Sequence, residues 1–488
     1  MARQITDYLL YRQRYLLGYG LFALIVIALL IVAGLYIPGG LSQAEMSSVI
    51  SSSKLSLSLN AFDPSLVINL PYHILQRVSI ELFGVSAISI KLPSLLLGAF
   101  SALGLLILLR TWFKENVAVL TMILVFTTGQ FLFVAQSGTP GIVYVFGSIW
   151  LLVAAMMISR QAKLIGIWKV ALFGLAALSL YTPLSIYMLM ALLSAIILHP
   201  HLRYIVRRLS KVKLALASVC GLILIAPLVY VSVRHPSTGL MLLGIPDTLP
   251  NIGANALQLI KQYFDFISPI SATYMTPIYG LGSMILIILG ILRLFTTKYT
   301  ARSYIISAWI ILLIPVLLIN PSYISVTFLP GVLLMGMGIG LLFNRWYRLF
   351  PRNPYARIAG LVPLIVLIGG MVLSGIDRYM YGYLYDPRTA SNFSSDLKLV
   401  NRQLNDATRG DTSIVVAANE VAFYTVVAAH HTHTAIVTDT AQTVGAHTTV
   451  LTQAAYHTAP PPIPPYRIIT NGQAASADRF YIYKNTDK

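Results

Sequence analysis

Gly18-Tyr-Gly-Leu-Phe-Ala-Leu-Ile-Val-Ile-Ala-Leu-Leu-Ile-Val-Ala-Gly-Leu-Tyr-Ile37 carries no charge, and the run then breaks at Pro38-Gly-Gly-Leu-Ser-Gln-Ala-Glu45. As a helix, the first stretch is about 30 Å long, the thickness of a bilayer's hydrocarbon core. It is too long for the apolar region of a secretory signal, and Gly39-Gly40 is a weak cleavage context. An uncleaved first span follows, with Arg3, Arg12 and Arg14 holding the N-terminus in the cytoplasm. The polar stretch 38–88 is then external. It is far longer than a connection between two helices requires, and it holds three carboxylates, Glu45, Asp63 and Glu81.

The rest of the chain repeats the pattern. Of 488 residues, 57 % are hydrophobic and only 10 % charged, too few charges for a soluble protein of this length. Apolar spans are expected at about 18–37, 89–109, 116–135, 141–159, 165–181, 183–199, 214–233, 276–296, 303–320, 323–343 and 358–376. That is an all-α polytopic membrane protein with about eleven transmembrane helices, in a plasma (inner) membrane, its C-terminus outside. The membrane module is 1–376, with a second long external connection at 234–275. There Leu257, Ile260 and Phe264 share one helical face, as in a helix lying at the outer interface with Lys261 snorkelling.

The net charge of +18 does not point to nucleic acid. Nineteen Lys and Arg fall in alternate connections, against five in the opposite ones, and the tail is neutral. This is the bias that orients membrane proteins. The basic run Arg203–Lys213 reads as an acidic-lipid contact or, more simply, as part of that signal. Fourteen of the sixteen carboxylates are external and none is mid-span, which argues against an intramembrane ion relay. The single cysteine, Cys220, excludes an intrachain disulfide and a cysteine-based metal site.

After Asp377 the composition turns polar. A helix over Ser394–Thr408 and short strands at Ser413–Ala417, Ala435–Asp439, Thr448–Thr452, Arg467–Thr470 and Arg479–Tyr483 make 377–488 a small external α/β domain. Ala459-Pro-Pro-Pro-Ile-Pro-Pro465 is an extended connector. His430-His431-x-His433 lacks a fourth ligand and reads as an exposed turn, so no metal site is expected.

Leu70-Pro-Tyr-His73, Phe83-Gly-Val-Ser86 and Lys91-Leu-Pro-Ser94 carry a resemblance. The stretch resembles the bacterial relatives of dolichyl-phosphate-mannose–protein mannosyltransferases, which share the GT-C membrane fold with lipid A aminoarabinose transferases. Weaker echoes are Ser179-Leu-Tyr-Thr-Pro183 and Phe328-Leu-Pro330. The resemblance implies an inverting glycosyltransferase that moves a sugar from a polyprenyl phosphate to a protein, lipid or glycan at the outer face. Such transfer needs a carboxylate to take the acceptor's proton and a cation for the leaving phosphate. The family's base lies in the first external loop, commonly within Asp-Glu. Here that place reads Gln43-Ala44-Glu45, making Glu45 the expected base and Asp63 the reserve. Lys91 is the expected phosphate partner, with Arg77 and Lys261 as lesser candidates, and Tyr72 and His73 would orient sugar hydroxyls. Lys91 also suits a bland role, snorkelling to headgroups, and Glu45 one at its own helix's N-terminus. No cofactor beyond the lipid-linked donor is implied. Where many relatives carry Arg-x-Asp after the third span, this chain has Ser137-Gly-Thr-Pro-Gly141. That departure, with Ala44, keeps a catalytically inactive membrane scaffold as an alternative. A transporter or flippase would show inverted repeats, and none is evident.

Overall fold

The computed structural model describes residues 14–37, 40–55, 63–246, 248, 250–266, 277–297, 299–349, 354–384, 393, 396–406, 412–430, 434–439, 448–470 and 478–484. Each of the eleven apolar segments carries a helix, because in hydrocarbon the backbone must satisfy its own hydrogen bonds. The first is α1 (Arg14–Leu35). The polar stretch that follows, expected to be external, folds into α2 (Gln43–Ser53), a short 3-10 turn at Pro64–Val67 and α3 (Leu70–Phe83). Then come α4 (Ala87–Trp112), α5 (Glu115–Thr127), α6 (Gly129–Gln136), α7 (Gly141–Ser159), α8 (Ile165–Ser179), α9 (Ser185–Leu198) and α10 (Pro200–Arg208). The series continues with α11 (Lys211–Arg234), α12 (Pro236–Leu243), α13 (Ile252–Phe264), α14 (Leu281–Thr296), α15 (Ala301–Ile319), α16 (Phe328–Leu349) and α17 (Pro354–Leu384).

Among the described residues, seven helices are long and apolar enough to cross a membrane, and nine if each bent pair counts as one span. The bent pairs are α5 with α6, at 61°, and α9 with α10, at 94°. Two further expected spans, α8 and α14, are apolar but shorter. In the second external connection, α13 turns Leu257, Ile260 and Phe264 outward, all more than half exposed. That is the face expected to lie in lipid.

The tail forms the expected α/β unit. Its elements are α18 (Leu397–Asp406), β1 (Thr412–Val415), α19 (Val421–Ala428), β2 (Thr434–Val437), β3 (Thr448–Thr452), α20 (Gln453–Thr458), β4 (Arg467–Thr470) and β5 (Asp478–Lys484). The sheet order is β2-β1-β3-β5-β4, with β1 parallel to both neighbours and β5 antiparallel to both of its own. The period of two along a strand divides its side chains between faces. Val415, Leu451 and Tyr481 pack with Ala455 of α20. Ile414, Val450 and Ile482 share a cluster with Leu397, Phe423 and Val427, and also with Met46 and Val49 of α2. The sheet thus joins the first external stretch in one core, and Asn401 Nδ2 donates to the Val85 carbonyl at 2.9 Å.

In the membrane module, α14 and α16 make the closest helix pair. A β-carbon on Gly338 would collide with the Leu286 carbonyl, and one on Gly290 with that of Leu334. Small residues let helices approach this closely where no hydrophobic force from water drives them together. Gly338→Ala should therefore cost about 1–3 kcal/mol of overpacking and lower the unfolding temperature in detergent. Gly369→Ala, with no atom within 4 Å of the added carbon, should leave it unchanged.

Candidate active site

The residues singled out around the first external stretch divide sharply. Ser42 caps α2 through its side chain, and Glu45 returns the contact, its Oε2 accepting from Ser42 N at 2.8 Å and Ser42 Oγ at 3.1 Å. This reciprocal box satisfies two orphan donors of the helix start. It uses only one carboxylate oxygen. Oε1 points the other way, accepts from Gly138 N at 2.8 Å, and lies 3.7 Å from Lys91 Nζ. Lys91 belongs to the first turns of α4 and is not snorkelling: it is 1 % exposed and donates to Gln136 Oε1 at 2.9 Å. Glu45 is 0 % exposed. Two opposite charges are thus buried together, with hydrogen bonds on both, the condition under which such a pair is tolerated.

Gly138 sits in the connection between α6 and α7, where no carboxylate replaces the Asp of the resembled pattern. Its backbone does the work instead. The amide holds Glu45 and the carbonyl accepts from Gln76 Nε2 at 3.0 Å. A β-carbon here would meet Ile90 Cγ2 at 2.7 Å and Glu45 Cγ at 3.5 Å, so only glycine lets this loop reach the carboxylate.

α3 supplies the second layer through the face Tyr72, His73 and Gln76. Gln76 Nε2 also donates to the Ile90 carbonyl at 3.1 Å, and Oε1 accepts from Ser48 Oγ at 2.8 Å and Ser52 Oγ at 2.7 Å. Its amide is satisfied at every position, clipping α2 to α4 and to the Gly138 loop. His73 Nδ1 lies 2.9 Å from Ser52 Oγ. Burial holds His73 down to about 4. Tyr72, 0 % exposed, shares a hydrogen bond of 2.7 Å with Ser94 Oγ of α4, and burial pushes its phenol above the ordinary range. From α17, buried Tyr379 donates to the Ile37 carbonyl at 3.0 Å. Beside it, the buried Tyr383 hydroxyl has no partner among the described residues. Both rings are close enough to Glu45 to interact with its charge.

Glu45, Lys91, Tyr72 and His73 therefore meet in one buried network. The other candidates lie apart from it. Arg77 is on the outward face of α3 and pairs with Glu81 at 2.6 Å. Asp63 is exposed; it caps the 3-10 turn through Ser65 N and Oγ, bonds that hold its carboxyl below the usual range. Lys261 is exposed on α13, which packs on α15 and the 3-10 turn Pro321–Thr327. Gln76, Gln136, Gly138 and Tyr383 were not foreseen. Gln76 had a signal, since a glutamine sharing a helical face with Tyr72 and His73 is a polar group turned inward. Among the described residues no three His, Cys, Asp or Glu gather as metal ligands; His431 and His433 lie outside the described residues.

Two outcomes follow from this geometry. Lys91→Met leaves a buried carboxylate without its cation and should cost about 3–5 kcal/mol, measured as a fall in unfolding temperature. Glu45→Gln with Lys91→Met should recover part of that loss, a coupling that a double-mutant cycle reads directly. His73 titrates near its ordinary 6.5 when unfolded but near 4 when folded. The unfolded chain then binds the extra proton first as pH falls, so stability present above pH ~6.5 is lost on approaching pH ~4, by up to about 3 kcal/mol. His73→Gln should flatten that part of the profile.

Residues 71–231 match the family of dolichyl-phosphate-mannose-protein mannosyltransferases. The match begins at Pro71, so it takes in Lys91, Gln136 and Gly138 but not Glu45. Among curated proteins none matches this chain. Two solved structures of ArnT from Cupriavidus metallidurans are similar in fold. The apo form is 13 % identical, covers 95 % of this chain and 98 % of its own, and has a TM-score of 0.46. The form bound to undecaprenyl phosphate is 16 % identical over 95 % and 97 %, with a TM-score of 0.48. An oligosaccharyltransferase from Archaeoglobus fulgidus, tethered with an acceptor peptide, is 10 % identical over 86 % of this chain and 64 % of its own, with a TM-score of 0.45. The chain is a multi-pass helical membrane protein that resembles the GT-C glycosyltransferases.

Proposed function

We propose that the protein is an inverting glycosyltransferase that takes a hexose or pentose from a polyprenyl phosphate and passes it to a protein, lipid or glycan of the cell envelope. One observation carries the reading: the carboxylate and the ammonium that such chemistry requires are held together at the start of α4, Lys91 inside the matched stretch and Glu45 before it. The family's own description names a lipid-phosphate donor. In this reading the donor phosphate draws the Lys91 ammonium away from Glu45, and one Glu45 oxygen becomes free to accept a proton. The acceptor hydroxyl attacks C1 from the face opposite the phosphate. A bond forms between acceptor oxygen and C1 as the bond from C1 to the phosphate oxygen breaks. The acceptor's proton goes to Glu45, and the polyprenyl phosphate leaves with the electron pair beside Lys91. The Tyr383 hydroxyl, buried near Glu45 without a partner among the described residues, is placed to donate to the incoming sugar. No cofactor enters the scheme, and the site would face outward, with the N-terminus in the cytoplasm.

A second reading has its own support. Glu45 is fully buried and accepts from two backbone amides and a hydroxyl, which is also how a purely structural pin is built. It fits an inactive scaffold for envelope assembly.

Glu45→Gln separates the two. With purified protein and a panel of labelled polyprenyl-phosphate sugars, the enzyme reading expects transfer to fall about 10²–10⁴-fold, the usual worth of a general base. Unfolding temperature would also fall, because Lys91 loses the charge it is buried against, so transfer is compared at a temperature where both proteins are folded. The scaffold reading expects the same loss of stability in the variant but no transfer from wild type with any donor and acceptor.

A further inference from the structure

A cavity of about 270 Å³ lies among the ends of five elements, lined by Lys114, Asn116, Arg293, Arg302 and Asn344 over the apolar Phe343. It is remote from Glu45. Lys91 and Trp112 stand at opposite ends of α4, 21 residues apart, about 32 Å of helix, so the cavity sits at the other membrane face. Arg302 is anchored there. Its Nη1 donates to the Trp112 carbonyl at 2.6 Å, and its guanidinium lies over the Phe113 ring at 5.2 Å. Its Nε is buried without a partner among the described residues.

Three cations line this space and no carboxylate does. Glu115 lines the neighbouring groove and not this cavity, and it is held there by Tyr19 Oη at 2.7 Å and Arg110 Nη2 at 3.3 Å. Two guanidinium groups and an ammonium around one cavity repel each other unless an anion joins them. Guanidinium suits phosphate, which it binds through two parallel hydrogen bonds.

The cavity also has a neighbour. Asn116 and Phe343 line a second, mostly apolar groove of about 840 Å³ between α1, α5 and α17, walled by Phe22, Leu120, Ile123 and Leu364. A basic pocket continuing into an apolar groove complements a molecule with an anionic head and a hydrocarbon tail. The orienting bias of the charges alone requires neither feature. Basic pockets between helices on this face are known to hold anionic headgroups. We propose that Lys114, Arg293 and Arg302 bind the phosphate of an anionic lipid from the leaflet opposite Glu45, with an acyl chain in the groove between α1, α5 and α17.

The test uses the full chain in nanodiscs of phosphatidylcholine with a minority of phosphatidylglycerol. Lipid retained after detergent extraction is read by native mass spectrometry. Wild type should keep phosphatidylglycerol. Arg293→Gln should weaken retention about fivefold and Arg293→Gln with Arg302→Gln about thirtyfold, the scale expected per basic residue at a membrane surface. Arg207→Gln with Arg208→Gln removes as much charge from α10, outside the cavity, and should retain lipid like wild type. Equal loss in both double variants, or no loss in either, would overturn the site. Inorganic phosphate and glycerol phosphate form the second arm. Neither should displace the lipid or raise the unfolding temperature; displacement by either at comparable concentration would make the ligand a free phosphate and overturn the lipid assignment. Arg293→Gln alone keeps the test open should loss of the Arg302 anchor unfold the double variant.

Discussion

The ion pair between Glu45 and Lys91 is the constraint around which this end of the protein is built. Either charge alone at 0–1 % exposure would be intolerable, and even together they need further partners to replace water. Those partners come from three places in the chain: Ser42 before α2, Gln136 at the end of α6 and Gly138 just after it. Holding them to hydrogen-bond distance fixes how the external stretch sits over the spans. It explains why α5 and α6 form a broken span rather than one straight helix. The bend brings the end of α6 and its following loop against Lys91 and Glu45. It also fits the glycine at position 138, where a β-carbon would press on Ile90 Cγ2 at 2.7 Å as the loop closes on the carboxylate.

The same constraint gives the tail its place. α2 is short and rich in serine, and little in its own sequence would keep it helical without tertiary support. One of its faces is clipped by Gln76 through Ser48 and Ser52. Another, with Met46 and Val49, is buried under α19 and the strands of the tail. The α/β unit is therefore no loose appendage. It completes the core in which the Glu45 helix stands, and the position of Glu45 depends on residues almost 400 positions away in sequence.

Much of this was legible beforehand. Apolar length put a helix in each expected span, though seven to nine of the described ones are long enough to cross a membrane, and short runs rich in Val, Ile and Thr placed the five described strands of the tail within a residue or two, because both patterns are local. Pairing was not local and stayed hidden. Glu45 and Lys91 could be named as an acid and a cation with chemical uses. Their contact arises from a bend between α5 and α6 whose only local sign is Thr128-Gly129 in an apolar run, a weak break signal that says nothing of what the bend brings together. The expectation that Ser137–Gly141 had lost something was based on side chains. What that loop supplies is a backbone amide and a carbonyl, which leave no mark in a sequence except the glycine that exposes them. Helices α19 and α20 were not foreseen for a related reason: at eight and six residues they are too short for a helical period to stand out.

The burial of the pair also sets a condition on any chemistry it performs. A carboxylate that accepts from Ser42 and Gly138 and faces an ammonium has no oxygen free for an acceptor hydroxyl. Reaction then requires that one donor be withdrawn. The backbone amides cannot be the ones to go, since Ser42 N belongs to the helix cap and Gly138 N to a loop pinned by Gln76. Lys91 can. Its stem is flexible, its distance to Oε1 is the longest of the set at 3.7 Å, and its tighter bond, to Gln136, is to a neutral amide that a phosphate would outcompete. An anionic donor entering beside Lys91 would thus release the carboxylate by taking its cation. As the pair stands, the charges quench each other and both groups are shut off from water.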